Sequence, residues 1–291
     1  MAYVCSFCRL PSDPNAAACP NCGAPVDVRA AVSGSGWVEQ PAVRDMARIQ
    51  FGQSHCQIEG ALVPTADFSL SGDEGVIFSH HTLLWASPGA HLEPWSGGSF
   101  FKRMYAGMPL VLMHARGPGH VAISEDNPGE VVALPIPPGR GFVVREHAFL
   151  AASESTDYTW QSSPVWVRVQ SGNDSELEYP IGAFVDFFVA NKGRPGLLLL
   201  HAPGNMFVRD LSPGQTILVQ PGSLVYTDTS VSYSLHVEYP SAGASIWGGV
   251  RWRTLWLRLT GPGRVAVRSI FEKPERLANI VSSSPMTAWS W

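Results

Sequence analysis

The feature that most constrains this chain is its punctuation. From Phe51 onward, Pro-Gly dipeptides recur at 88–89, 118–119, 128–129, 138–139, 195–196, 203–204, 213–214, 221–222 and 262–263. Proline at the first central position presets φ, and glycine at the second accepts a positive φ, which is the chemistry of a type II turn. Between the turns lie short aliphatic, β-branched and aromatic runs, among them GVIFS at 75–79, HVAIS at 120–124, AFVDFFVA at 183–190 and GLLLLHA at 196–202. Short strands separated by such turns build a sandwich or a barrel. With 28 glycines and 24 prolines in 291 residues, a helical bundle is excluded.

The pattern also repeats. Residues 70–87 (LSGDEGVIFSHHTLLWAS), 136–153 (IPPGRGFVVREHAFLAAS) and 211–228 (LSPGQTILVQPGSLVYTD) align without gaps at successive offsets of 66 and 75 residues. Each reads as an apolar residue, a turn, a three-residue apolar strand, a second turn and a two-residue apolar strand. Gly75, His81, Leu84, Ala86 and Ser87 recur identically as Gly141, His147, Leu150, Ala152 and Ser153. A turn followed by a strand recurs as GPGHVAI from 117, APGNMFV from 202 and GPGRVAV from 261. Self-similarity of this kind means that no unit buries its apolar face alone. The expected fold is all-β: a repeated β-sandwich, double-stranded β-helix-like, over residues 51–272, with three similar units about a shared axis.

Four of the five cysteines fall in the first 22 residues, as Cys5-x2-Cys8 and, ten residues on, Cys19-x2-Cys22. Two such knuckles supply the four thiolates of a tetrahedral zinc ion, and four thiolates leave no open position, so the site reads as one structural Zn2+. A segment this short needs the metal's binding energy to fold. The alternatives are a pair of disulfides, for which no secretory signal speaks, and a redox dithiol, which belongs at the start of a helix after a strand. Residues 1–24 are therefore read as a zinc ribbon. Cys56 stands apart and reads as a small buried hydrophobe.

Residues 25–50, rich in Ala, Gly, Ser and Pro, read as a flexible linker in which Trp37 docks on a surface. Residues 273–291 read as a C-terminal tail whose end, PMTAWSW, carries Trp289 and Trp291. Net charge is −4 with 20 Lys+Arg, which argues against a broad nucleic-acid footprint. No apolar run reaches the ~20 residues of a spanning helix, and the first residues lack the basic-then-apolar order of a secretory leader. The expected address is the cytoplasm, with no transmembrane segment.

The body resembles a known family, the altered-inheritance-of-mitochondria family of bacteria and mitochondria, from about Phe51 to Phe271. The resemblance rests on residues 98–107 (GSFFKRMYAG), on GPGHVA from 117, on Pro138-Gly139 with Ala148-Phe149-Leu150, and on LTGPGRV from 259. It departs at Met108, where the family often carries Glu, and in the added ribbon. The resemblance implies a fold similar to the tryptophan RNA-binding attenuation protein and self-association. It implies no established reaction.

The common catalytic signatures are missing from the sequence: no G-x-S-x-G, no H-E-x-x-H, no G-x-x-x-x-G-K-[ST] and no H-x-H of a metal cupin. His80 and His81 are adjacent and on a strand would face opposite ways. His81 and His147 share a repeat position, which reads either as a symmetric ligand pocket or as two turn histidines, and Gly222 breaks the pattern in the third block. Asp67, Asp73, Glu74, Asp126 and Asp228 read as turn acids. Lys102, Arg103 and Arg116 read as an anion site or a solvated edge. Near the end of the body, WGGVRWRTLWLRL places Trp252, Trp256 and Arg258 on one face of a strand and Arg251, Arg253, Leu255 and Leu257 on the other. Trp247, Arg251, Trp252, Arg253, Trp256, Trp289 and Trp291 are the candidate partner-binding residues, against the alternative of a Trp-filled core. The functional expectation is a non-enzymatic, homo-oligomeric β-scaffold whose ribbon holds an unidentified protein partner. Two alternatives are a nucleic-acid-binding regulator using the ribbon and the Trp/Arg strand, and a ligand binder or enzyme with its site between repeats.

Overall fold

The computed structural model describes residues 3–4, 11–12, 35–40, 43, 46–95, 112–171, 173–191, 193–238, 254–271 and 280–285. They form antiparallel strands almost throughout. A short hairpin joins β1 (Tyr3–Val4) to β2 (Pro11–Ser12). β3 (Val38–Glu39), β4 (Ala47–Phe51) and β5 (Ser54–Glu59) lead into the repeats. Unit 1 comprises β6 (Thr65–Leu70), β7 (Gly75–Ser79), β8 (Leu83–Ala86), β9 (His91–Pro94), β10 (Leu112–Arg116) and β11 (Gly119–Ser124). Unit 2 starts with β12 (Glu130–Ile136), β13 (Gly141–Arg145), β14 (Phe149–Ser153) and β15 (Thr156–Ser162). It continues, after a hairpin of β16 (Val167–Ser171) and β17 (Asp174–Glu178), with β18 (Phe184–Ala190) and β19 (Gly196–Ala202). Unit 3 comprises β20 (Met206–Leu211), β21 (Thr216–Val219), β22 (Leu224–Asp228), β23 (Ser232–Glu238), β24 (Thr254–Thr260) and β25 (Gly263–Arg268), and β26 (Ile280–Ser283) follows.

Every unit is wired alike. Its first strand pairs with its sixth (β6·β11, β12·β19, β20·β25) and its sixth with its third (β11·β8, β19·β14, β25·β22). Its second pairs with its fifth (β7·β10, β13·β18, β21·β24) and its fifth with its fourth (β10·β9, β18·β15, β24·β23). Each unit is thus a sandwich of two three-stranded sheets. The match reaches single atoms. The sixth strand of each unit opens on a glycine, and the next backbone N–H is accepted by a side chain at one repeat position. His120 N donates to Ser87 Oγ, Leu197 N to Ser153 Oγ, and Arg264 N to Asp228 Oδ2, each at 2.9 Å.

The units are stitched through shared sheets. β14 of unit 2 pairs with β7 of unit 1, giving the six-stranded order β12-β19-β14-β7-β10-β9. β22 of unit 3 pairs with β13 of unit 2, giving the seven-stranded order β15-β18-β13-β22-β25-β20-β3. These sheets are packed on both faces, so their central strands are buried at consecutive positions, as in β7, β14 and β19. That is why Leu197 to Leu200 form an unbroken apolar run where alternation would suit a half-exposed strand. β5 and β6 belong to a sheet with one covered face and do alternate, with Cys56, Ile58, Ala66 and Phe68 turned inward. One core fills each unit: around Phe68 and Phe78 in unit 1, Phe149 and Phe188 in unit 2, and Tyr233 and Leu257 in unit 3.

Several expectations are corrected. The units do not close on themselves: among the described residues β8 and β21 remain outer strands, so the architecture is a series rather than a ring about one axis. Part of the expected flexible linker over 25–50 belongs to the body. β3 pairs with β20, Gln40 N donates to Met206 O, Val43 N donates to Val131 O, β4 pairs with β5, and Trp37 packs on the core of unit 3. Part of the expected tail does too, since β26 pairs with β16. The turn at Pro203-Gly204 links two units, whereas those at Pro118-Gly119 and Pro262-Gly263 link the fifth and sixth strands within a unit, so the three are not equivalent. The last two follow cis Gly-Pro bonds, while Gly139, Gly204 and Gly214 have the positive φ that a type II turn requires. No helix among the described residues is long and apolar enough to cross a membrane, a statement about helices alone.

Candidate functional site

The turns between second and third strands of units 1 and 2 deliver titratable side chains to one cavity of about 680 Å³. In units 1 and 3 that turn is a short 3-10 helix, His80–Thr82 and Pro221–Ser223. A hydroxyl bonds back across each one: Thr82 Oγ1 donates to Ser79 O and Ser223 Oγ to Gln220 O, both at 2.7 Å. His80 and His81 therefore lie on a helical turn and not on a strand. In unit 2 His147 instead takes a left-handed backbone, φ 66°, which a residue with a Cβ adopts at a cost and which is seen at functional sites. His81 and His147 both line the cavity, so the repeated histidines do meet.

The rest of the lining comes from strands and from the segments that follow β11, β19 and β25. Asp186 on β18 is buried, and Tyr158 on β15 donates to its Oδ1 at 2.7 Å. Glu146 Oε2 accepts from Ala183 N at 3.1 Å, while Glu146 Oε1 lies 3.8 Å from His147 Nε2. Arg145 Nη1 donates to Gly222 O, which ties the unit 2 turn to the unit 3 turn. His201, at the end of the buried β19 run, is 4% exposed, and its Nε2 has no hydrogen-bond partner among the described residues. Burial holds the His201 imidazole below the ordinary histidine value; the Asn127 backbone opposes this and the Arg268 charge adds to it. His81 is shifted the same way, by partial desolvation first and then by His147. Glu125 is raised by burial and by its neighbour Asp126. The cavity thus offers the His81 and His201 imidazoles, biased to the neutral form, with carboxylates and the Arg145 and Arg268 guanidiniums. That suits a small polar ligand. No group of three or more His, Cys, Asp or Glu among the described residues has the arrangement of a metal site.

A second polar knot has a structural role. His114 on β10, buried, lies 3.4 Å from Glu93 on β9 and 3.7 Å from Glu154 just past β14, and Arg116 bonds Glu154 at 3.0 Å. Arg116 thus pairs with a carboxylate across a unit boundary and stays partly exposed, as the edge reading has it. Lys102 and Arg103 lie outside the described residues.

The cysteines expected to hold zinc, Cys5, Cys8, Cys19 and Cys22, also lie outside the described residues. On either side of Cys5 and Cys8 in the sequence, Val4 pairs with Pro11 and Tyr3 with Ser12. Trp247, Arg251, Trp252, Arg253, Trp289 and Trp291 lie outside as well. Trp256 is described: Leu255, Leu257 and Leu259 of β24 face the core, while Trp256 and Arg258 take the outer face, as parity predicts. Trp256 is half-buried and its Nε1 donates to Glu238 Oε2 at 2.8 Å. Cys56 is a free, fully buried thiol, and burial pushes its pKa up. Sequence reasoning missed His201, Arg145, Glu146, Tyr158, Asp186 and Arg268. For His201 a signal existed: one polar residue ending an otherwise continuous apolar run.

The family described as Mitochondrial biogenesis AIM24 matches residues 56–270. Among solved structures the chain is similar to the X-ray crystal structure of Protein SPYM3_0169 from Streptococcus pyogenes. That likeness has 19% sequence identity and a TM-score of 0.54, over 75% of this chain and 94% of that one. At such identity it speaks to the fold alone. No curated protein matches.

Proposed function

This chain belongs to the mitochondrial biogenesis AIM24 family, and on that footing we infer that it serves as a non-enzymatic, self-associating β-scaffold. Its head, residues 1–24, is a four-cysteine zinc ribbon that holds a protein partner. The observation that carries the reading is the sharing of sheets between units, which makes a stiff frame of three sandwiches with strand edges left at both ends of the series. The ribbon is supported by its donor set, since Cys5, Cys8, Cys19 and Cys22 are soft thiolates in two close pairs, suited to a closed structural zinc site. A second reading is favoured by the cavity holding His81, His147 and His201: the frame also takes a small polar ligand between its units.

Sedimentation of the purified full chain at tens of micromolar tests the scaffold, with an oligomer expected and a clean monomer contradicting it. In the same preparation one zinc per chain is expected, lost on Cys5→Ser with Cys19→Ser while the β-rich spectrum of the body persists. Zinc retained in that double variant contradicts the ribbon.

A further inference from the structure

The two joints inside the chain are one joint used twice. Between β14 and β7, Ala151 lies opposite Phe78, Ala152 opposite Ile77 and Ser153 opposite Val76. Between β22 and β13, Tyr226 lies opposite Val144, Thr227 opposite Val143 and Asp228 opposite Phe142. At the repeat offsets these are the same three pairs.

Side chains obey the same rule. Each second strand sends one side chain into the core of the next unit: Ile77 enters the core of unit 2, and Val143 that of unit 3. Each third strand sends two back into the preceding core: Leu150 and Ala151 into unit 1, Val225 and Tyr226 into unit 2. All six are buried.

The rule leaves two edges over. β8 is a third strand with no preceding unit, β21 is a second strand with no following one, and each is outermost in its sheet among the described residues. The side chains that should cross a joint there stand in solvent instead: Leu84 is 57% exposed, Trp85 44% and Leu218 45%. What one edge lacks is what the other presents.

We propose that β21 of one copy pairs antiparallel with β8 of a second copy in the register of the internal joints. Trp85 then lies opposite Val219, Ala86 opposite Leu218 and Ser87 opposite Ile217. Leu218 enters the core of unit 1 of the neighbour, and Leu84 and Trp85 enter the core of unit 3. The sheets β4-β5-β6-β11-β8 and β21-β24-β23 merge into one, as the internal joints merge theirs. Main-chain bonds supply affinity and the crossing side chains supply specificity, as in strand addition generally. The occupant is a second copy because each chain carries one edge of each kind. The contact is heterologous, so repeating it gives a ring where the rotation closes and a filament where it does not. This rests on the self-association inferred above and names the surface responsible.

The test uses the full, zinc-loaded chain. Ala86→Cys mixed with Leu218→Cys is expected to give a disulfide-linked dimer on mild oxidation, with neither variant alone exceeding the wild type. A chain carrying both is expected to give a ladder of multiples. Cross-linking that stays within one chain overturns the proposal, as does equal cross-linking of Ala86→Cys alone or none at all from an oligomeric sample. Independently, Leu218→Lys is expected to reduce the wild-type oligomer to monomer with an unchanged far-UV spectrum. If Leu218→Lys sediments like an oligomeric wild type, this joint is wrong and self-association stands. If the wild type itself is monomeric, both fall.

Discussion

Ser87, Ser153 and Asp228 do the same work in three places, accepting the second backbone N–H of each sixth strand. Of the three bonds, the one at Ser153 is buried. Leaving a buried N–H without its acceptor costs about 1–3 kcal/mol. Ser153→Ala should therefore destabilise the protein by that order in urea unfolding, and Ser87→Ala, at a more open site, by clearly less; equal losses would deny the distinction. The buried histidines set a pH dependence. His114 and His201 have folded pKa values below the ordinary histidine value, mainly through burial. The unfolded chain then binds more protons than the folded one as pH falls through about 6.5. Stability is full above that range and declines on acidification toward pH 5, so the melting temperature should fall, and His201→Leu should flatten the slope. A slope unchanged by His201→Leu counts against the assignment. At this scale the repeat was legible because Gly75 and Gly141, and Ser87 and Ser153, are identical residues at positions hemmed in by neighbouring chain, although Thr216 and Asp228 stand there in unit 3. Gly75 is such a case: a Cβ there would press on the His114 ring and the Ala115 carbonyl. Asp186 and Arg268 carried no such signal, because a single charged residue in or at the end of a strand is usually solvated.

Among elements, the segment from Ser35 to Phe51 is the one whose composition misleads. Its Ala, Gly, Ser and Pro content predicts a linker, yet two-residue β3, the bonds from Gln40 and Val43, and β4 tie it in turn to unit 3, unit 2 and unit 1. A strand of two residues has no periodicity to detect, and its pairing partner β20 lies far along the sequence. Removing residues 1–34 should leave the melting temperature of the body within a few degrees. Removing 1–50 also strips β3 and β4 and bares the edge of β5, and it should lower the melting temperature markedly. Equal melting for both truncations would return this segment to a linker. The short strands were legible from their turns, but their order across units was not. A strand buried on both faces, such as β19, shows a plain apolar run that names no partner.

At the scale of the molecule, three sandwiches are joined by one rule of pairing, and among the described residues the rule is unsatisfied at β8 and β21. The repeats predicted three units, and the family resemblance implied self-association. The repeats also predicted closure about an axis because repetition alone does not say whether the rotation between units completes a circle. An assembly built by that rule would hold the N-terminal segments proposed as ribbons at regular intervals, which favours a partner engaged many times over. Arg258 lies opposite Leu218, so the outer face of β24, with Trp256 and Arg258, borders the proposed joint, and net charge of −4 weighs against nucleic acid there. The most direct measurement is amide hydrogen exchange of β8 and β21 across a range of protein concentration. The account expects both edges to gain protection together, in step with the sedimenting oligomer, while the inner strands β14 and β22 stay protected throughout. Edges that exchange freely at every concentration in a sample that sediments as an oligomer would contradict it.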